Sequence, residues 1–318
     1  NGDVLVAGTQ LSNAAGVNDL EFRRLSGLTG IVSDTDALDL GLFVTIGTMV
    51  RRNGELLLSG SSRVNNVTRG LLATIGSDLS SVVQKTLEGG ETAVEFDRTG
   101  TDYFALLRTN LNDSLQKLNS ALTTVGSFSL NSQVSDRAMV LEPQNDKVVV
   151  IQSRFNPPRM THQGVRISTM AAFGNIDFGV GANTFQTSFG RVHVAPDSSI
   201  FYPVTNSEAS VSTSQIRRAT STTLLWAFST SSFGPQSEFL FDVVTDTSGG
   251  AYVIGRVGTR TFVRKYSRSG VLLWARALPH DPTRSATHLA FGDGRLFAIG
   301  QRTPQSGNTD IAITSLNP

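Results

Sequence analysis

Seven times along this chain a polar turn leads into a short apolar strand, and the turns recur at nearly constant spacing. The turns centre on residues 2, 54, 100, 146, 198, 249 and 294, which sets steps of 52, 46, 46, 52, 51 and 45 residues. Asn53-Gly54-Glu55-Leu56-Leu57-Leu58, Ser248-Gly249-Gly250-Ala251-Tyr252-Val253 and Asp293-Gly294-Arg295-Leu296-Phe297 are three of the copies. A period of this length holds four strands with their turns, and each repeat alone leaves apolar faces that only a neighbour can cover.

The sixth repeat sets the phase. Phe239–Val244 is an apolar run suited to an inner strand A, and Asp246–Gly250 is a turn in which Asp and Ser bond to nearby backbone and Gly accepts positive φ. Ala251–Gly255 follows as strand B, Thr261–Tyr266 alternates as strand C, and Val271–Arg276 is the outer strand D. The expectation is an all-β, seven-bladed β-propeller of four-stranded antiparallel blades in one domain. The blades span 1–41, 42–90, 91–128, 129–180, 181–235, 236–280 and 281–318. On this phase the first repeat lacks a strand A and the last stops at strand C, so the count is about 26 strands rather than 28. Trimmed flanking sequence accounts for both defects; the alternative is edges that a partner's strand completes. Asp113–Leu122, the one stretch with helix-like content, falls where strand and loop are needed.

With 27 basic and 26 acidic residues scattered along the chain, no basic face for nucleic acid emerges. No apolar run approaches the roughly 20 residues of a membrane-spanning helix. The absence of cysteine excludes disulfides, thiol nucleophiles and thiolate metal sites and, with abundant Ser, Thr, Asn and Gly, points to an exported or cell-surface bacterial protein. The chain opens at Asn1 without Met or an apolar signal, which reads as a processed form.

Arg137–Val150, with its Pro143-Gln144-Asn145-Asp146-Lys147 turn, and Asn175-Ile176-Asp177-Phe178-Gly179 resemble the bacterial delta-sixty repeat. Asp246–Tyr252 and Ser269–Trp274 resemble the SBBP propeller repeat equally. The resemblance covers all seven repeats and is degenerate in the third and fifth, where Leu106 and Val204 replace a strand-ending glycine. It implies a β-propeller of exported bacterial proteins and brings no catalytic residues.

Of the four histidines, His193 and His288 sit in strand A runs and are expected to hold hydrogen-bond partners there. His162 and His280 fall in expected loops on one face of the propeller, together with Arg154, Arg159, Arg256, Arg260, Asp281, Arg284 and Arg302. Guanidinium forks there suit an anionic polymer or acidic protein, and His280 with Asp281 suits acid–base work. A solvated polar rim is the plainer reading of the same residues. Asp34, Asp36 and Asp39 are the one weak calcium candidate, but EF-hand spacing is missing and a turn with Asp bonded to backbone is preferred. No other cofactor is implied. Trp226 and Trp274 occupy equivalent strand D positions and are expected to pack between blades.

No nucleophile elbow or phosphate loop is present. The expected function is an exported or cell-surface scaffold that presents propeller loops to a protein or surface polymer, without catalysis. The alternatives are a lyase or hydrolase on an anionic polysaccharide, with His162 or His280 as acid or base, and a structural subunit completed by partner strands.

Overall fold

Turns rich in Asn, Asp and Gly alternate with apolar strands throughout, so the chain folds back on itself as successive antiparallel hairpins. A computed structural model describes the chain outside residues 1–3, 12–17, 26–31, 39–44, 65–66, 78–80, 89, 110–112, 131–135, 156–157, 179–185, 208–211, 221–222, 230–237, 280–283, 293, 303–309 and 318. The first sheet holds β1 (Val4–Leu11), β2 (Asn18–Leu25) and β3 (Val32–Leu38), and the second β4 (Thr45–Arg52), β5 (Glu55–Val64), β6 (Val67–Ile75) and β7 (Val82–Thr86). The third holds β8 (Thr92–Thr99), β9 (Asp102–Arg108), β10 (Asp113–Leu118) and β11 (Thr124–Leu130). The fourth holds β12 (Asp136–Glu142), β13 (Lys147–Phe155), β14 (Pro158–Arg166) and β15 (Ala172–Phe178). The fifth holds β16 (Gln186–Phe189), β17 (His193–Val194), β18 (Ile200–Ser207), β19 (Ser212–Ala219) and β20 (Leu224–Ser229). The sixth holds β21 (Glu238–Thr245), β22 (Ala251–Val257), β23 (Arg260–Tyr266) and β24 (Leu272–Ala277); the seventh holds β25 (Arg284–Gly292), β26 (Arg295–Arg302) and β27 (Asp310–Leu316).

The turns work as their residues require. Asn53 and Gly54, at φ of 49° and 84°, close the β4–β5 hairpin with Arg52 opposite Glu55, a two-residue turn whose twist matches the strands. In the sixth sheet Asp246 Oδ1 accepts the N–H groups of Ser248 (3.0 Å) and Gly250 (2.8 Å). Asp197 does the same for Ser199, and its other oxygen takes Arg218 of its own sheet (2.7 Å) and Arg268 of the next (2.8 Å).

Sheets stack through apolar wedges. Phe22 of the first sheet packs on Leu56, Leu58 and Leu71 of the second, and Leu57 and Leu72 meet Phe96 and Leu107 of the third. Phe104 and Leu115 meet Val148 and Val165; Val149 and Ile151 meet Tyr202 and Val204; Phe201 and Ile216 meet Val243 and Val253; Tyr252 and Ile254 meet Leu289 and Leu296. Full burial of one such side chain stabilises by roughly 1.5–3 kcal/mol, so these wedges supply most of the force that holds sheet to sheet.

This arrangement corrects the expected ring of seven four-stranded blades. Such a ring needs seven inter-sheet cores and seven innermost strands, and among the described residues there are six of each. The six blades with an innermost strand start at β4, β8, β12, β16–β17, β21 and β25. The three strands β1–β3 form a sheet that begins at its second strand position, and β25–β27 has no described fourth strand. Counting turns therefore counted one blade too many, because among the described residues the sheet β1–β3 carries no innermost strand.

The fifth sheet breaks its innermost strand in two. Both β16 and β17 pair with β18, and Pro203 lies in β18 opposite the break. Proline has no N–H to donate, so the ladder is interrupted, and Gly190 N–H instead reaches the Pro203 carbonyl (2.9 Å).

Candidate functional site

The innermost strands enclose a cavity of about 590 Å³. Its wall carries Thr48 and Arg52 of β4, Glu95 and Asp97 of β8, Arg191, His193 of β17 and Asp242 of β21 among apolar neighbours, and exposed Asn53 and Gly100 mark the end that reaches solvent. Four of the strands, β4, β8, β21 and β25, shift register at the same point, so that Thr48, Glu95, Asp242 and His288 each follow a bulge. A bulge re-aims the following side chain, and here it turns polar groups toward the adjoining sheet.

The result is a series of clasps between consecutive inner strands. Thr48 Oγ1 meets Ser59 Oγ (2.6 Å), which donates to the Val94 carbonyl of the third sheet (3.4 Å). Arg52 forks onto Asp97 through Nε (2.8 Å) and Nη2 (3.0 Å). Glu95 accepts the Met139 N–H of the fourth sheet, His193 Nε2 meets Thr245 Oγ1 of the sixth (2.9 Å), and Asp242 accepts Leu289 N–H of the seventh (2.8 Å). Buried backbone N–H groups left without an acceptor are costly, so these carboxylates serve the framework. Arg191 behaves differently: it reaches from the fifth sheet to the Met49 carbonyl of the second (3.0 Å).

Burial moves two of these groups. The Glu95 carboxyl is pushed up to about 8 by desolvation, against the lowering effects of the Met139 N–H and of Arg191. Desolvation also lowers His193 to about 4, with Arg191 and Arg52 acting in the same direction and Asp242 opposing them. At neutral pH the cavity therefore holds a protonated Glu95 and an uncharged His193.

None of the arginines expected from sequence lines this cavity. Arg154 pairs with Arg159 across the β13–β14 hairpin, Arg256 and Arg260 flank the β22–β23 turn, and Arg284 pairs with Arg302 across β25 and β26. Register thus sets these six at one end of their sheets, opposite the Asn53 and Gly100 turns. Arg159, Arg256, Arg260 and Arg302 are exposed, and Arg159 pairs with Asp177 (2.7 Å).

His162 is corrected from loop to strand. It lies within β14, is 1% exposed, and packs edge-on against Tyr202 at 5.6 Å; burial lowers it to about 3, with Arg217 and Lys147 adding to the effect. His280 and Asp281 lie outside the described residues. His193 and His288 occupy inner strands as expected, His288 at 3.7 Å from Asp242. Asp34 and Asp36 are corrected from turn to strand: they belong to β3, an outer edge where charge is tolerated, while Asp39 lies outside the described residues. No group of three ligating side chains suited to a metal occurs among the described residues, nor any helix long and apolar enough to cross a membrane. Trp226 packs on Phe201 and donates to the Arg268 carbonyl (3.1 Å), and Trp274 packs on Tyr252.

No protein-family model matches the chain, and no curated protein sequence does. Solved structures do. A protein from Bacteroides fragilis provisionally named as a 6-phosphogluconolactonase superposes with a TM-score of 0.62 at 9% identity, over 98% of this chain and 94% of that one. The β-propeller domain of the Trilobed protease from Pyrococcus furiosus superposes at 0.53 and 8% identity, over 86% and 83%. The chain is a β-propeller. PorZ, a bacterial surface component of the type-IX secretion system of Porphyromonas gingivalis, matches at 0.55 and 10% identity over 98% of this chain and 46% of its own. At these identities the likeness carries the fold alone.

Proposed function

We propose that this propeller is a non-enzymatic recognition module of an exported bacterial protein, related to the delta-sixty and SBBP repeat proteins, that holds an anionic protein or surface polymer on its arginine rim. The observation that carries the reading is the register that sets Arg154, Arg159, Arg256, Arg260, Arg284 and Arg302 at one end of three sheets. Guanidinium forks recognise carboxylate and sulfate or phosphate groups in two-point contacts, and a row of them suits a repeating anion better than a single small molecule. The clasps lend further support, since Asp97, Asp242 and His193 are engaged in holding sheets together.

The experiment is site-specific photo-cross-linking from position 256 or 302, with position 53 at the opposite end as the control, on the producing cells. Adducts from 256 that vanish when Arg260 and Arg302 become Ser, and adducts from 302 that vanish when Arg256 and Arg260 become Ser, support the rim. Adducts from 53 alone, or from none, defeat it.

A lyase or hydrolase remains a second reading on one observation, the protonated Glu95 carboxyl in the cavity. His162 takes no part in it, because it is enclosed between the fourth and fifth sheets. Turnover of an anionic polysaccharide that is lost in Glu95→Gln would favour this reading over the first.

A further inference from the structure

We propose that the axial cavity binds a small organic oxyanion, a carboxylate or a phosphate monoester, on the Arg191 guanidinium. This site is separate from the rim, and the two proposals succeed or fail independently.

Three guanidinium groups line the cavity, and two have carboxylate partners: Arg52 with Asp97, and Arg98 with Glu55. Among the described residues no carboxylate lies within ion-pair distance of Arg191, whose one hydrogen bond there is from Nη2 to the Met49 carbonyl. A guanidinium has five donors in a flat fork, so a single carbonyl uses little of what it offers. Its position is built into the backbone. The break between β16 and β17 brings Gly190 so close to Phe241 that a Cβ would collide with its carbonyl, and Arg191 N–H then donates to that carbonyl (2.9 Å). The cavity, about 590 Å³, falls within the few-hundred-to-thousand Å³ range of small-molecule sites.

The charges that face Arg191 favour an anion. Glu95 is held protonated at neutral pH by burial, so it offers no compensating charge, and Asp97 and Asp242 are engaged by Arg52 and by the Val243 and Leu289 N–H groups. His193 is neutral against Thr245. A bound oxyanion supplies the two-point partner that the Arg191 guanidinium lacks among the described residues.

Isothermal titration of the whole protein with citrate and, separately, with inorganic phosphate at fixed ionic strength and pH 7 tests this. Saturable one-site binding of either probe, weakened at least tenfold in Arg191→Gln and unchanged in Arg276→Gln, on the exposed outer strand β24, is expected. Citrate alone identifies a carboxylate ligand, and phosphate alone a phosphate monoester. No binding of either probe, or equal binding by Arg191→Gln, overturns the proposal. Should Arg191→Gln fail to fold, Arg191→Lys, which keeps the charge but loses the flat fork, decides: severalfold weaker binding of the probe supports the site, and unchanged binding refutes it.

Discussion

The innermost and the outermost strands of this propeller solve the same problem by opposite means. On β8 and β21 the carboxyl groups of Glu95 and Asp242 grip backbone N–H groups of the following sheet, whereas on β20 and β24 Leu225, Phe228, Leu272 and Leu273 stand exposed. Near the axis sheets converge and their backbones come within hydrogen-bond reach, so polar contacts are short and mutually dependent. At the periphery they splay, and side-chain identity matters less. Specificity of assembly is therefore concentrated near the axis.

The comparison breaks most visibly at Glu238, on β21, and Arg264, on β23, which pair at 2.7 Å with 3% and 1% of their side chains exposed. Arg264→Met strands a buried charge and is expected to cost about 3–5 kcal/mol in urea unfolding, most of it recovered by a second change, Glu238→Leu. Asp242→Ala removes the acceptor of the Leu289 N–H and is expected to cost about 1–3 kcal/mol by the same measurement.

The pH dependence sharpens the contrast further. Glu95 is raised to about 8 in the folded state from 4.5, so the native form holds its proton where the unfolded chain has released it, and stability falls as pH rises from about 4.5 to about 8. His193 is lowered to about 4 from 6.5, and its effect is the reverse: stability is lost as pH falls from 6.5 toward 4. Between 6.5 and 8 Glu95 acts without His193. The urea midpoint of the wild type should fall across that interval, and that of Glu95→Gln should fall less. The smallest effect belongs to the periphery, where Leu273→Ser should stay within about 0.5 kcal/mol. A loss there as large as that of Asp242→Ala would erase the distinction.

Much of the fold was legible in the repeat. The strands expected in the sixth repeat overlap β21, β22, β23 and β24, and Asp113–Leu118 is strand β10. Such local patterns are set by turn chemistry and alternation, which a single sequence displays. The clasps were not legible, since a lone carboxylate in Val94-Glu95-Phe96 or Phe241-Asp242-Val243 looks the same whether it meets water or another sheet's N–H. His162 was misplaced because Pro157-Pro158 signals a loop, yet β14 begins at Pro158, which pairs with Phe155 at the end of β13. Arg191 carried no local mark at all; only the interruption opposite Pro203 gives it a place.

The carboxyl clasps also have a direction in time. Glu95 waits for Met139, which lies 44 residues later, and Asp242 for Leu289, 47 residues later. As the chain emerges from the ribosome, each of these acceptors is complete only when the next sheet has been synthesised. A nascent propeller thus carries, once its third sheet is made and again after its sixth, a carboxyl group still in need of a donor that only the next sheet brings.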